Sequence, residues 1–142
     1  MIAISIKDLF DKFEFDPHVI IDEVVRIGDH TAIRDFFKKE PKNINSKSMK
    51  YIKTGEKFRK NFERGLLFYF LISHFKCKKL LEFGTGRGFV SAVASICPTI
   101  SKVVTIDMEQ TDKAIACMKK AGISMDKITF IRGNSRKMNS IL

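Results

Sequence analysis

Tryptophan is absent from this chain of 142 residues, and cysteine, proline and glycine are scarce, with three, three and eight residues. So little proline and glycine, together with 30% charged residues, argues against a collagen-like chain and against long disorder. Long apolar runs are missing too, since the longest, residues 66–72, falls far short of the ~18 residues that a membrane span requires. These absences leave a soluble globular domain, whose core can be built from the 44% hydrophobic residues, including 13 phenylalanines.

The cysteines and the first residues both bear on the compartment. Cys77, Cys97 and Cys117 are an odd set without a CxxC pair, which is neither a disulfide framework nor a zinc site. His74 and Cys77 form an HxxC half-site, but no second half-site follows in the sequence. We therefore expect reduced, mostly buried thiols. The first fifteen residues carry acids where a signal peptide would be apolar, so we expect a cytoplasmic protein.

The formal net charge of +10 is concentrated in one segment. Residues 42–79 carry 11 basic and two acidic side chains, whereas residues 1–41 have a net charge of −3 and residues 80–142 one of +4. Such a segment can contact a phosphate-rich partner such as nucleic acid, or an anionic substrate. It can also be a solvated linker and helix face. We favour this second interpretation, because the aromatic residues of the segment are spaced for one helix face.

The first 55 residues predict a helical region followed by a basic loop. The pair Asp16-Pro17 is typical of a helix start, and Gly28 of a helix stop. A second short helix is predicted at 31–39, and the polar stretch 42–56 is predicted to be a loop. The apolar residues that share one face of the first helix are Val19, Ile20, Val24 and Ile27.

From residue 56 onward, helical and strand patterns alternate. A helix is predicted at about 56–75, and the hydrophobic period changes after it. The elements that follow are a strand at Leu80–Phe83, a helix at Phe89–Cys97, a strand at Lys102–Asp107, a helix at Glu109–Ala121 and a strand at Ile128–Arg132. This order predicts an α/β fold, with an incomplete Rossmann-like parallel sheet of about three strands (βαβαβ) and flanking helices. We therefore divide the chain into residues 1–55 and residues 56–142.

Polar or flexible groups follow each predicted strand. Glu82 comes just before a glycine cluster, Asp107 ends the second strand, and Asn134 follows the third. Ligands of open parallel sheets bind at the carboxyl ends of the strands, so these groups are candidate binding residues. Glycines let a ligand approach the backbone, and the next helix points its positive end there. Asp107 suits the two hydroxyls of a ribose, and Asn134 suits the edge of a purine.

The glycine spacing helps to choose the ligand. A dinucleotide fingerprint is G-x-G-x-x-G, whereas the pattern here is G-x-G-x-G, and Phe89 stands where the third glycine would fall. The carboxylate of Glu82 would meet a pyrophosphate badly but an ammonium or sulfonium cation well. The residues favour an adenosine with a positively charged tail, with NAD as the second choice.

The same positions resemble those of a known family. Residues 80–89, Leu-Leu-Glu-Phe-Gly-Thr-Gly-Arg-Gly-Phe, resemble motif I of class I S-adenosylmethionine-dependent methyltransferases. With the helix that precedes them, they are most similar to the small O-methyltransferase-like branch. Asp107 is similar to the ribose-binding acid of the family, and residues 133–135 are similar to its adenine-side segment, although Asn134 stands where Asp is more usual. The resemblance covers about residues 56–137, the N-terminal part of such a domain.

The resemblance implies the cofactor S-adenosyl-L-methionine and a set of residues that hold it. Glu82 would orient the methionine end, Asp107 would bind the ribose hydroxyls, and Met108 would cover an adenine face or belong to the core. The other implied cofactor-binding residues are Gly84, Thr85, Gly86, Gly88, Asn134 and Ser135. The implied reaction is displacement of the sulfonium methyl by a nucleophile, accelerated mainly by alignment. The expected acceptor is a small molecule, methylated on oxygen or nitrogen.

The sequence assigns neither a catalytic base nor a metal ligand. In the resembled fold such groups follow later strands, and the chain ends at Leu142, so we expect a truncated domain whose acceptor-binding half lies outside this chain. Two hypotheses stay open: a methyltransferase, and a non-catalytic module that binds an adenosine cofactor or nucleic acid. Under the second, a homo-oligomer that covers the third strand is the expectation. No membrane contact is expected.

Overall fold

A computed structural model describes residues 6–31, 60–109 and 111–140 of the chain. Its elements in chain order are helix α1 (Ile6–Lys12), a 3₁₀ turn (Pro17–Val19), α2 (Ile21–Thr31), α3 (Lys60–His74), β1 (Lys79–Phe83), α4 (Phe89–Ile96), β2 (Lys102–Asp107), α5 (Thr111–Lys120), β3 (Ile128–Arg132) and a second 3₁₀ turn (Ser135–Ser140). The strands and helices predicted after residue 79 agree with these bounds to within two residues.

Some sequence predictions lie outside the described residues. They are the helix at 31–39 beyond its first residue, the loop at 42–56 and the division of the chain at residue 55, and all of them stay predictions. The helix predicted at 56–75 is described from Lys60 onward. Among the helices of the described ranges, none has the length and apolar character needed to cross a membrane.

The 3₁₀ turn is capped as the sequence predicts. Asp16 Oδ1 accepts a hydrogen bond from the amide of His18 at 3.0 Å, and Pro17 occupies the first turn. One of the four residues predicted to share a face of the first helix does not do so, because Val19 lies in this turn before α2 and is 71% exposed. The other three, Ile20, Val24 and Ile27, are buried.

The predicted helix stop at Gly28 is also wrong. Helix α2 continues to Thr31, which is buried, and the Thr31 hydroxyl donates to the Ile27 carbonyl at 2.6 Å. Glycine inside a helix costs only about 1 kcal/mol relative to alanine. The burial of apolar residues before Gly28, and of Thr31 after it, outweighs that cost, since tertiary packing supplies most of a helix's stability.

The three strands form one parallel sheet in the order β1-β2-β3. Leu80 pairs with Val103, and Val103 pairs with Ile128, so these side chains lie side by side. Parallel neighbours require crossover connections, which α4 and α5 provide. The predicted fold class is confirmed: an incomplete Rossmann-like sheet with flanking helices, preceded by a helical N-terminal region.

Helices α4 and α5 pack on one face of this sheet, and α2 and α3 pack against these helices. Leu80, Val103 and Ile128 join a continuous core that contains buried residues of every α-helix described. On the other face, Leu81 and Phe83 of β1 are 45% and 52% exposed. Because strand residues alternate between faces, Glu82 lies on the helix side of the sheet, where it reaches the first turn of α4.

Two glycines let α4 approach its neighbours closely. A Cβ on Gly65 of α3 would lie 2.7 Å from Phe89 Cζ and 2.8 Å from Val24 Cγ1. A Cβ on Gly88, the N-cap of α4, would overlap Met118 Cε and lie 3.1 Å from Met118 Cγ. The ring of Phe89, which stands where a dinucleotide fingerprint has its third glycine, therefore packs where Gly65 lacks a side chain.

Candidate functional site

The loop between β1 and α4 turns at its glycines. The φ angles are +86° at Gly84, +54° at Gly86 and +86° at Gly88, in the left-handed region that glycine adopts without strain. The Gly84 amide donates to the Ile106 carbonyl and the Gly88 amide to the Thr85 carbonyl, both at 2.8 Å. A Cβ on Gly84 or Gly86 would meet no atom within 4 Å. The loop thus leaves open space beside its backbone.

Asp107, at the end of β2, connects the ends of all three strands. Its Oδ2 accepts from the Gly86 amide at 3.1 Å, and its Oδ1 accepts from the Glu109 amide at 2.9 Å. Its backbone carbonyl accepts from the Gly133 amide at 3.0 Å, just after β3. The carboxylate predicted to bind a ribose therefore lies against the glycine loop and next to the segment predicted to lie by the adenine.

Glu82, at the end of β1, is held from one side. Its Oε2 accepts hydrogen bonds from the hydroxyls of Ser91 and Thr105, the second at 2.8 Å. Desolvation by burial raises the pKa of Glu82, while the two hydroxyl donors and the charge of Arg64 oppose the rise. A cationic ligand would compensate for part of the lost hydration. The environment of Glu82 therefore suits an ammonium or sulfonium group.

Two predicted cofactor-binding residues lie against the protein interior. Thr85 is buried, and its hydroxyl oxygen is 2.7 Å from the hydroxyl oxygen of Thr105. Gly88 is buried against Met118. In the structure, Thr85 and Gly88 support the loop from inside, whereas Gly84 and Gly86 border the open space. Direct contact of any of these residues with a cofactor stays a prediction.

The predicted adenine side lies after β2 and β3. Met108 is 55% exposed, so it does not belong to the core, and its carbonyl accepts from Arg132 Nε at 3.2 Å. Asn134 Oδ1 accepts from the Arg136 amide at 2.9 Å, which leaves its side-chain nitrogen as the group to donate to a purine ring. Ser135 is exposed at the start of the second 3₁₀ turn.

Sequence reasoning missed two residues of this cluster, Ser91 and Thr105. A signal for Thr105 exists, because it lies two residues before Asp107 on β2 and is the register partner of Glu82 on β1. Ser91 gives no such signal. Its contact with Glu82 depends on how the first turn of α4 packs on the sheet.

The donor set fits an adenosine cofactor with a cationic tail. Two carboxylates from neighbouring strands, Glu82 and Asp107, lie beside a glycine loop with open space, and Asn134 follows the third strand. Glu82 can meet a cation and Asp107 can accept from hydroxyls. Within residues 6–31, 60–109 and 111–140, no three His, Cys, Asp or Glu side chains are grouped as metal ligands would be.

A parallel sheet with a glycine loop after β1 and an acid at the end of β2 defines the Rossmann-like class of nucleotide-binding folds. The model of the O-methyltransferase family matches residues 38–141, well over half of the chain. The chain therefore belongs to this O-methyltransferase family of class I S-adenosylmethionine-dependent methyltransferases, which confirms the resemblance and implies use of that cofactor. A search of curated proteins found no match.

Proposed function

We propose that the chain binds S-adenosylmethionine at the carboxyl ends of β1 to β3 and serves methyl transfer to a hydroxyl group of a small molecule. The observation that carries this proposal is the hydrogen bond from the Gly86 amide to Asp107 Oδ2, at 3.1 Å. This bond joins Asp107, the acid at the end of β2 that is predicted to bind the ribose, to the glycine loop that follows β1. The arrangement corresponds to the ligand position of open α/β sheets.

Each residue has a distinct task in this proposal. Asp107 accepts hydrogen bonds from the ribose hydroxyls, and Glu82 accepts one from the ammonium group of the methionine end. Asn134 donates to the adenine edge, and Met108 packs on the adenine face with Ser135 nearby. The amides of Gly84 and Gly86 already donate to protein oxygens, so these two residues contribute space rather than hydrogen bonds.

The chemistry asked of these residues is mainly alignment. When bound, the cofactor supplies a methyl group on a sulfonium, which is a good leaving group. Residues that fix both ends of the cofactor restrict the direction from which an acceptor can approach, and such alignment can supply most of the acceleration. An oxygen acceptor agrees with the description of the family, and nitrogen is the alternative.

Lys79, the last residue of the basic segment 42–79, lies away from the proposed site. Lys79 begins β1 and pairs in register with Lys102, which begins β2. The glycine loop follows the other end of β1, and five strand residues span about 16 Å at 3.3 Å per residue. A nucleic acid bound at these two lysines would lie at the opposite end of the sheet from the proposed site.

Calorimetric titration with S-adenosylmethionine, S-adenosylhomocysteine and NAD tests the proposal. We expect both adenosine compounds to bind more tightly than NAD. Absence of binding by well-folded protein, or tighter binding of NAD, would contradict the cofactor assignment. Transfer of labelled methyl groups to a panel of small hydroxyl and amine compounds then tests the acceptor. Binding without transfer to any of them would favour the non-catalytic module.

A further inference from the structure

The hydrogen bonds around Glu82 come from two different elements of the fold. Ser91 belongs to the first turn of α4 and Thr105 to β2, and both side chains are completely buried. Both hydroxyls bond to the same carboxylate oxygen, Oε2. Among the contacts of the described residues, Oε1 accepts no hydrogen bond. One oxygen of Glu82 is therefore used for support and the other is left as an acceptor.

The hydroxyl protons in this cluster have a defined direction when Glu82 is ionised. A carboxylate accepts only, so Thr105 donates its single hydroxyl proton to Glu82 Oε2 at 2.8 Å. The Thr85 hydroxyl, 2.7 Å from the Thr105 oxygen, must then donate to Thr105. The two successive hydrogen bonds, from Thr85 to Thr105 and from Thr105 to Glu82, are therefore those that an ionised Glu82 requires. Buried hydrogen bonds aligned in this way strengthen one another.

We propose that Ser91 and Thr105 are positioning residues, which keep the Glu82 carboxylate ionised and oriented so that Oε1 can bind the ammonium group of the cofactor. The inference rests on the proposed function, because it assigns Glu82 to the methionine end. Ser91 and Thr105 need not touch the cofactor, since they act through Glu82. Thr85 assists by completing the hydrogen bonding of Thr105.

The charged groups around Glu82 shift its pKa in opposite directions. Burial raises the pKa of Glu82 and the negative charge of Asp107 on β2 adds to the rise, whereas Arg64 on α3 lowers the pKa. The donors Ser91 and Thr105 also lower it. When either hydroxyl is removed, less opposes the rise in pKa that burial causes. The Glu82 carboxyl group should then take up a proton at higher pH.

The first test uses the full chain without a ligand. The carboxyl carbon of Glu82 is followed by NMR in protein labelled with ¹³C-glutamate, and Glu82→Gln identifies the resonance. We expect Ser91→Ala and Thr105→Val each to raise the pKa of Glu82 by about one pH unit, the size of one hydrogen bond to a charged group.

Matched controls come from the same chain. Ser95→Ala removes a buried hydroxyl of the same helix that bonds to the Ala92 carbonyl, and Thr31→Val removes one that bonds to the Ile27 carbonyl. Neither control should move the Glu82 titration. Ser91→Thr and Thr105→Ser each keep a hydroxyl, so the pKa of Glu82 should stay close to its wild-type value in both variants. A loss of packing alone would not explain that result.

The second test compares two ligands. S-adenosylhomocysteine carries the ammonium group, whereas 5′-methylthioadenosine has the adenosine and no amino-acid end. We expect Ser91→Ala and Thr105→Val to weaken S-adenosylhomocysteine binding about tenfold near neutral pH, and to shift the acid limb of its pH profile upward. Affinity for 5′-methylthioadenosine should be unchanged.

The outcomes separate this inference from the proposed function. If folded wild-type protein binds neither ligand, the proposed function is wrong and the role of Glu82 toward an ammonium group is wrong with it. If wild-type protein binds S-adenosylhomocysteine but the variants keep its affinity and the Glu82 titration, only the positioning role is overturned. Should Thr105→Val fail to fold, Thr85→Val removes the donor to Thr105 and must shift the titration in the same direction.

Discussion

The amide of Gly86 donates a hydrogen bond to Asp107 Oδ2 across 3.1 Å, so the glycine loop of β1 and the end of β2 share one carboxylate. Asp107 Oδ1 is bonded to the Glu109 amide in turn. The residue predicted to bind a ribose is thus also a structural support of the loop. Its replacement should affect both the binding of an adenosine compound and the order of the loop.

Asp107→Ala is expected to weaken the binding of S-adenosylhomocysteine and of 5′-methylthioadenosine by roughly 1–3 kcal/mol each, because both contain the ribose. Calorimetric titration measures both affinities. Asp126→Ala, in the exposed turn before β3, is the control and should bind like the wild type. Unchanged affinity of Asp107→Ala for both compounds would remove its proposed role.

Glu82→Gln is expected to stabilise the chain and to impair binding of the methionine end. The folded-state pKa of Glu82 lies above its ordinary value of 4.5, so the folded chain holds this proton more tightly than the unfolded chain. Ionisation of Glu82 therefore lowers the free energy of unfolding as the pH rises from 4.5 through the raised pKa, and the loss is constant above it. Glutamine has no such charge and keeps an oxygen for both hydroxyl donors.

Urea unfolding between pH 4 and pH 8 measures this effect. We expect Glu82→Gln to be more stable than the wild type at neutral pH, and the difference to shrink toward pH 4. A difference of the same size at every pH would show that the effect is not one of charge. S-adenosylhomocysteine should bind this variant more weakly than the wild type, while 5′-methylthioadenosine should not distinguish them.

Gly88→Ala and Gly84→Ala form a matched pair, since both glycines have a φ of +86°. Backbone strain, about 1 kcal/mol for alanine in this region, should be similar in the two variants. A Cβ on Gly84 meets open space, but one on Gly88 overlaps the buried Met118. We expect Gly88→Ala to lose a further 1–3 kcal/mol, about the cost of overpacking a core, in denaturant unfolding. Equal losses would contradict the packing of Gly88 on Met118.

Gly65→Ala tests the close approach of α3 and α4. Alanine is favoured over glycine inside a helix by about 1 kcal/mol. Here the new methyl group would lie 2.7 Å from Phe89 Cζ and 2.8 Å from Val24 Cγ1, so we expect a net loss of stability of about 1–2 kcal/mol. Adding Phe89→Leu should reduce the loss caused by Gly65→Ala in a double-mutant cycle. Thermal unfolding of the four variants measures the coupling, and stabilisation by Gly65→Ala alone would refute the contact.

Much of the α/β unit is predictable because its signals are local. The β-branched run at 102–107 and the small-residue helix after Gly88 each show their own period over neighbouring residues, and the structure confirms both. The predictions at Val19 and Gly28 failed where local signals conflict with packing. Gly28 resembles a helix stop by residue type, but buried residues on both sides keep α2 helical to Thr31.

The sequence by itself determined the order of strands and helices, the glycine loop and the acids at the strand ends, because these features depend on residues close together along the chain. Only the tertiary structure decided which groups meet across elements. The Ser91 hydroxyl reaches Glu82, and Phe89 packs on Gly65, only after α4 has packed against β1 and α3. Such contacts depend on distances between elements, which the hydrophobic period of each element does not contain.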